Sequence, residues 1–238
     1  MPKALIPREH ISPSDLTFLF GECPRCFWLK YNLGVSRPGF MPLVGPMAAM
    51  QEKTFQGKTS SDLGLKTHGG LVTSWGQTVI SDRIKVKGKP TKWFIKGKYD
   101  LVLSFANSKA AIIDCKVTTG AMDAKKVELY RPQLEAYAFA LENPQDGQPV
   151  DVVETGLLMW RVSGANTNSE KFGPVFEIEP SYLHSNRDPH FFQMFIARVI
   201  ELLEGDLPSE GEDCTFCKYL NKRTTAMGGL TPKEGVRA

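Results

Sequence analysis

No apolar run in this 238-residue chain approaches the roughly 20 residues that a bilayer-spanning helix needs. The opening MPKALIPREH lacks the apolar centre of a secretory signal, so a cytoplasmic protein without a membrane partner is expected. No G-x-x-x-x-G-K-[ST] phosphate loop occurs, which removes the usual sign of a built-in ATPase or helicase motor. There is no internal repeat and no low-complexity tract. A large charge of one sign is absent too, the net charge being +3. That neither demands nor excludes a nucleic-acid partner, because phosphates need only a local basic surface.

The 42 % hydrophobic and 23 % charged residues are those of an ordinary globular protein. The chain is long enough to bury a core without disulfides. In a reducing compartment its five cysteines stay thiols, and their spacing then reports metal or cluster binding. Basic residues gather at Arg83, Lys85, Lys87, Lys89, Lys92, Lys96 and Lys98. This is either a solvated hairpin whose lysines guard its edges or a rim that meets phosphates.

Ser12-Pro13-Ser14-Asp15 reads as a helix start, with a hydroxyl cap, proline in the first turn and an acid at the positive end. A second helical run, holding Phe27, Trp28, Tyr31 and Leu33, stops at Gly34. Pro38, Gly39, Pro42, Gly45 and Pro46 make a loop, and a short helix follows over Met47–Phe55. The stretch from Gly57 to Gly76 is rich in Gly, Ser and Thr and reads as a surface loop. Strands are expected at Thr78–Val86, Trp93–Phe105 and Ala110–Val117, paired as a β-meander, with Tyr99, Leu101, Leu103 and Phe105 sharing a face. A helix then enters near Pro132 and ends at Asn143-Pro144. Val152–Val162 is a strong strand, Val175–Ile178 a weaker one, and Phe191–Leu203 an amphipathic helix. The sum is an α/β (α+β) fold with a mixed sheet and flanking helices.

Alternation in a strand puts Asp114 and Lys116 on one face and Cys115 on the other. Asp100 faces away from Tyr99 and Leu101, so pairing through the turn at Asn107-Ser108 brings it beside Asp114. Two carboxylates in an apolar sheet repel each other, and a divalent cation with a taste for hard oxygen ligands relieves this. Such a cation polarises a phosphoryl oxygen and activates water, which Lys116 can hold or deprotonate. A D-x-K triplet taken alone is more simply an exposed ion pair on an edge strand. Its setting favours the metal centre: a buried-type strand, an upstream acid on a second strand, and the helix that follows. On that helix Gln133 and Tyr137 stand at i and i+4, hence on one face, with Leu134, Ala138 and Leu141 as the packing stripe.

Gly97-Lys98-Tyr99-Asp100, Ile113-Asp114-Cys115-Lys116 and Gln133-Leu134-Glu135-Ala136-Tyr137 resemble, in order and spacing, the motifs of the RecB-like branch of the PD-(D/E)XK nucleases. The resemblance implies a restriction-endonuclease-like core and a Mg²⁺- or Mn²⁺-dependent deoxyribonuclease. By the same resemblance Asp100, Asp114 and the backbone carbonyl of Cys115 hold the metal, Lys116 serves the water, and Gln133 and Tyr137 position substrate and catalytic groups. Its triplet uses Asp where Glu is common. The upstream helix of such enzymes offers a His or an acid to the metal; this chain has no His there, and Glu52, with Gln51 next, is the substitute by position. The substrate implied is DNA, single-stranded or at ends, in a bacterial or phage-like setting where a helicase or recombination factor can be a partner.

Cys23-Pro24-Arg25-Cys26 and Cys214-Thr215-Phe216-Cys217 are C-x-x-C pairs at opposite ends. Four thiolates converging on one centre would clasp the termini, and tetrahedral Zn²⁺ or an iron–sulfur cluster fits four cysteines. Buried free thiols are the plainer alternative. Cys23-Pro24-Arg25-Cys26-Phe27 is similar to the N-terminal C-P-x-x-F segment of RecB-like proteins. AddB-like and CRISPR-adaptation relatives close a [4Fe–4S] cluster with one N-terminal and three C-terminal cysteines, whereas the division here is two and two. Cys115 reads as a core side chain. His68, His184 and His190 read as surface or capping residues.

One domain is expected over residues 1–222, with its core at about 46–204, a cysteine clasp from 12–34 and 208–222, and a flexible tail at 223–238. Two other readings compete with the nuclease. A nucleic-acid-binding module of the same fold would be favoured by the missing upstream ligand, but leaves the Asp114–Lys116 cluster without purpose. A redox or structural C-x-x-C protein leaves Asp100, Asp114 and Gln133 unexplained.

Overall fold

The computed structural model describes residues 7–39, 44–67, 69–167, 173 and 175–227. His68, Pro42 and the tail beyond Met227 lie outside them. The elements in chain order are β1 (His10–Ile11), α1 (Pro13–Thr17), α2 (Leu19–Glu22), α3 (Pro24–Leu33), α4 (Val44–Phe55), α5 (Ser60–Leu63), β2 (Leu71–Trp75) and β3 (Thr78–Val86). Then come β4 (Lys89–Lys98), β5 (Leu101–Ser104), β6 (Lys109–Thr118), α6 (Ala124–Glu142), β7 (Asp151–Asn166), β8 (Val175–Ser185), α7 (Pro189–Glu204) and α8 (Thr215–Met227). Among the described residues no helix is long and apolar enough to cross a membrane.

Five strands form the main sheet in the order β2-β5-β6-β7-β8, with β6 and β7 parallel and the other pairs antiparallel. A parallel pair needs a crossover, and α6 supplies it. A smaller sheet, β1-β4-β3, stands beside the main one. The expected meander is therefore corrected. What read as one strand over Trp93–Phe105 breaks at Tyr99 and Asp100, so β4 pairs with β3 in the small sheet and β5 with β6 in the main one. Alternation cannot register such a break, because both halves keep the same period. The shared face is corrected with it: Leu101, Leu103 and Phe105 pack together, while Tyr99 joins the other core.

The Gly57–Gly76 segment is not a plain loop. Thr59 and Asp62 form a reciprocal capping box for α5, which satisfies two orphan donors at once, and β2 adds an edge to the main sheet with Val72 buried. Nor does α6 begin at Pro132. Asp123 caps it by accepting from the Lys126 N–H, and Pro132 sits inside it, forgoing one intrahelical bond. Around this proline Gln133, Leu134, Ala136 and Ala138 are all buried, and burying a leucine such as Leu134 stabilises the helix by about 1.5–3 kcal/mol. The opening helix breaks at Phe18 into α1 and α2, and Ser12 makes no side-chain cap. Instead the Ser12 N–H donates to the Tyr31 hydroxyl, while Asp15 pairs with Lys30 and accepts from that hydroxyl. The weak Val175–Ile178 strand extends to Ser185, paired with β7 along its length. The basic stretch is the β3–β4 hairpin, turned by Lys87 and Gly88 at positive φ, as two-residue hairpin turns require.

Two apolar layers cover the main sheet. Val102, Ile112, Leu157 and Met159 meet α6 on one side. Leu101, Leu103, Ile113, Cys115 and Leu158 meet Phe55, Leu63 and Leu65 on the other. Cys115 is thus a core side chain, as alternation predicted.

Candidate active site

The functional residues collect where β5, β6 and α6 meet. Leu101 lies opposite Ile113, so Asp100, at the bend just before β5, stands beside Asp114. Its Oδ2 accepts from the Cys115 N–H at 2.6 Å. Asp114 points toward α6, where Gln133 Nε2 donates to Asp114 Oδ1 at 2.7 Å. Lys116, next but one on the same face, forms an ion pair with Asp114 Oδ2, and its ammonium lies 3.5 Å from the Cys115 carbonyl oxygen. One turn along from Gln133, the Tyr137 hydroxyl donates to the Lys98 carbonyl at 2.7 Å, fixing β4 just before the break. Asp100, Asp114, Lys116, Gln133 and Tyr137 are therefore drawn together.

The electrostatics are those of a crowded, sheltered charge cluster. Burial, and next the Asp114 carboxylate, push the Asp100 carboxyl up to about 7 against the pull of Lys116 and the Cys115 N–H. Burial works against the Lys116 ammonium, yet Asp114 and Asp100 outweigh it and hold its pKa above the ordinary lysine value. Tyr137 is pushed up as well, by burial and then by both carboxylates, so it remains a phenol. Gln133 Oε1 is buried with no hydrogen-bond donor on it, while Asp114 Oδ2 is met by the Lys116 ammonium. Buried oxygens of this kind ordinarily have a partner. With two carboxylates and the Cys115 carbonyl close by, the donor set is the hard-oxygen kind that suits Mg²⁺ or Mn²⁺.

The two candidates on α4 differ. Glu52 is half-buried and pairs with Lys98 at 3.5 Å, and its charge adds to the upward push on Asp100. Gly76, at φ +59, lies against this pair: a Cβ there would come within 2.8 Å of Glu52 Oε2. Gln51 is fully buried, and its Nε2 donates to the Lys116 and Leu158 carbonyls at 3.3 Å each. It thus ties α4 to the end of β6 and the middle of β7. Tyr130 escaped the sequence reading: the Lys116 ammonium lies 5.1 Å from its ring centre. Its place three residues before Gln133, on the same helix face, was the available signal.

A second centre joins the chain ends. Cys23, Cys26, Cys214 and Cys217 are all buried, with sulfurs within 4.8 Å of one another. The Cys23–Cys217 and Cys26–Cys214 sulfurs are 3.8 Å apart and the Cys26–Cys217 pair 3.5 Å. Backbone N–H groups of Cys26 and Gly211 point at Cys23 Sγ, and that of Cys217 at Cys214 Sγ. Close approach matters here: a Cβ on Gly211 would meet the Glu22 carbonyl oxygen at 2.2 Å.

The family model for the PD-(D/E)XK nuclease superfamily matches residues 51–221. The chain belongs to this superfamily. The match starts at Gln51 and takes in every candidate of the first centre, as well as Cys214 and Cys217, but leaves Cys23 and Cys26 outside. The mixed sheets with flanking helices are the restriction-endonuclease-like arrangement of PD-(D/E)XK nucleases. Among solved structures the chain is similar to SSO0001, at 14 % identity over 95 % of this chain and 90 % of that one, with a TM-score of 0.49. It is also similar to an exonuclease candidate from Eubacterium rectale, at 12 % identity over 96 % and 91 %, with a TM-score of 0.47. No curated protein matches the chain.

The structure corrects one histidine. His184 lies half-buried on β8, neither a surface residue nor a helix cap, and its Nδ1 lies 3.2 Å from the buried Glu154 carboxylate. His190 is exposed in the first turn of α7.

Proposed function

We propose that this PD-(D/E)XK nuclease hydrolyses DNA phosphodiester bonds with Mg²⁺ or Mn²⁺, acting on single strands or at ends, and that it is of the RecB-like branch. The observation that carries the reading is the buried Asp114, tied by Gln133 on one oxygen and by Lys116 on the other. A purely structural strand has no use for so costly an arrangement. Asp100, Asp114 and the Cys115 carbonyl would hold the cation, with Glu52 as the ligand from α4. When bound, the cation supplies positive charge that polarises the phosphate and makes water more acidic.

The chain's own residues do the rest. Gln133 fixes the Asp114 carboxylate, so that its second oxygen stays aimed at the centre. Lys116 stays an ammonium between two carboxylates; it orients the attacking water and offsets charge that grows on the phosphate. Tyr137 pins the Lys98 carbonyl, and with it the bend that carries Asp100. Cleavage of a labelled oligonucleotide that needs Mg²⁺ or Mn²⁺ and vanishes in Asp114→Asn tests this reading.

We further propose a single tetrahedral ion, zinc, at the four cysteines. With zinc–sulfur bonds of about 2.3 Å, tetrahedral geometry sets neighbouring sulfurs roughly 3.8 Å apart, close to the 3.5 to 3.8 Å of three of the pairs, in a set whose sulfurs all lie within 4.8 Å of one another. A four-iron cluster seats each thiolate on its own iron and spreads the sulfurs farther. The ion would clasp α3 to α8 and make residues 1–222 one domain. Its role is structural, because no open ligand position is needed to close the site.

A further inference from the structure

Phe18 stands at the break between α1 and α2 with 41 % of its surface exposed. One exposed phenylalanine needs no explanation, but its place does. Its ring meets Tyr130 edge to face, with centroids 5.5 Å apart and planes at 83°. Tyr130 in turn lies 5.1 Å from the Lys116 ammonium. The Phe18 ring therefore lies no farther than about 11 Å from the Lys116 ammonium, which is at most the rise of about three bases at about 3.4 Å each. Tyr130 also belongs to a stripe on α6: Lys126, Tyr130, Gln133 and Tyr137 recur at helical spacing on one face. The inner end of the stripe holds Asp114 and the Lys98 carbonyl. The outer end offers the half-buried Lys126.

We infer that Phe18 and Tyr130 form a stacking step for an unpaired nucleobase beside the scissile phosphate, which selects single-stranded nucleic acid or a frayed end. The inference rests on the nuclease reading above. Every base has a π-face, so an aromatic ring holds an unpaired base whatever its sequence. A base inside a duplex is already stacked on both neighbours and gains nothing from the step. The edge-to-face contact holds the Phe18 ring in place while leaving part of it in solvent. Lys126, at the outer end of the stripe, is placed to meet the next phosphate of such a strand. Nothing in the metal chemistry calls for an aromatic pair at this spot, whereas a strand entering along α6 does.

The test uses single-stranded oligonucleotides carrying one 2-aminopurine at each of the last few positions, titrated with the full chain in Ca²⁺. A duplex with the probe in its interior is the control. Wild type is expected to quench the terminal probe. Phe18→Ala and Phe18→Leu should weaken single-strand affinity by about 5- to 100-fold, and Phe18→Trp should restore it. Affinity for the duplex interior should not change in any variant. Quenching and affinity that survive Phe18→Ala, or a wild type that quenches at no position, would overturn the stacking step. Cleavage in Mg²⁺ is scored separately. A chain that quenches through Phe18 but never cuts keeps the step and loses the hydrolysis, and one that cuts single strands regardless of Phe18 does the reverse.

Discussion

Gln133 donates to one oxygen of Asp114 while Lys116 pairs with the other, so a helix residue and a strand residue together fix the direction of one carboxylate. Gln133→Leu removes the first of these and leaves the carboxylate free to turn. The expected result is a roughly 10- to 100-fold loss of metal affinity, seen as a shift of the cleavage curve to higher Mg²⁺ or Mn²⁺. Cleavage at saturating metal should recover more than it does in Asp114→Asn.

Gly97 should tolerate no side chain. A Cβ there would come within 2.7 Å of Pro13 Cδ and 3.0 Å of Tyr137 Cε1. Gly97→Ala must displace α1 or the Tyr137 ring, and overpacking of this kind costs about 1–3 kcal/mol. Thermal melts should show the loss, together with reduced cleavage because the Tyr137–Lys98 bond is disturbed. A variant with wild-type melting and wild-type rate would refute the close fit.

Arg187, in the short link between β8 and α7, ties that link to α6. It pairs with Glu135 and Glu142 and donates to the Val152 carbonyl. Burial pushes Glu135 up even with Arg187 beside it. Arg187→Ala strands a buried carboxylate, a loss of about 3–5 kcal/mol. Urea unfolding should register this, and replacing Glu135 by Gln in the same chain should recover part of it.

Glu154 gives the fold an acid limit. Burial opposes its charge, but donors from the Thr67 N–H, Tyr182 and His184 hold its pKa below the ordinary glutamate value. A carboxyl depressed in the folded state contributes stability above its unfolded pKa and loses it as pH falls through the folded one. Wild type should therefore exceed Glu154→Gln in melting temperature near neutrality. The gap should close as pH drops below about 4.5; a gap that stays constant with pH would contradict the assignment.

The cysteine clasp predicts one zinc per chain by elemental analysis, with no iron and no visible absorption from a cluster. Cys26→Ser or Cys214→Ser should lose the metal and lower the melting temperature, whatever happens to cleavage. Iron and sulfide in the purified chain would overturn the single-ion geometry.

Residue spacing made the centre more legible than its frame. Asp114, Lys116, Gln133 and Tyr137 each follow from a local period, two in a strand and about four in a helix, so their faces could be assigned without tertiary knowledge. The break at Tyr99–Asp100 could not, because it is made by two sheets competing for one extended segment. The helix start was missed because Pro132 is a strong punctuation mark, while the Asp123 cap that outranks it lies a little over two turns earlier. Strand β2 hid in a stretch rich in glycine, and only its edge pairing with β5 reveals it. Tyr130 offered only its helical spacing from Gln133, because its neighbours Lys116 and Phe18 are distant in sequence.

The measurement that bears most directly on the central claim is cleavage of linear and circular, single- and double-stranded DNA with Mg²⁺ or Mn²⁺, with Lys116→Ala alongside. The account predicts cutting that requires the metal, favours linear single strands, and falls by about 10²- to 10³-fold in the variant. A folded chain with its cysteine centre filled that cuts none of these with either metal, or cuts equally well without Lys116, would contradict it.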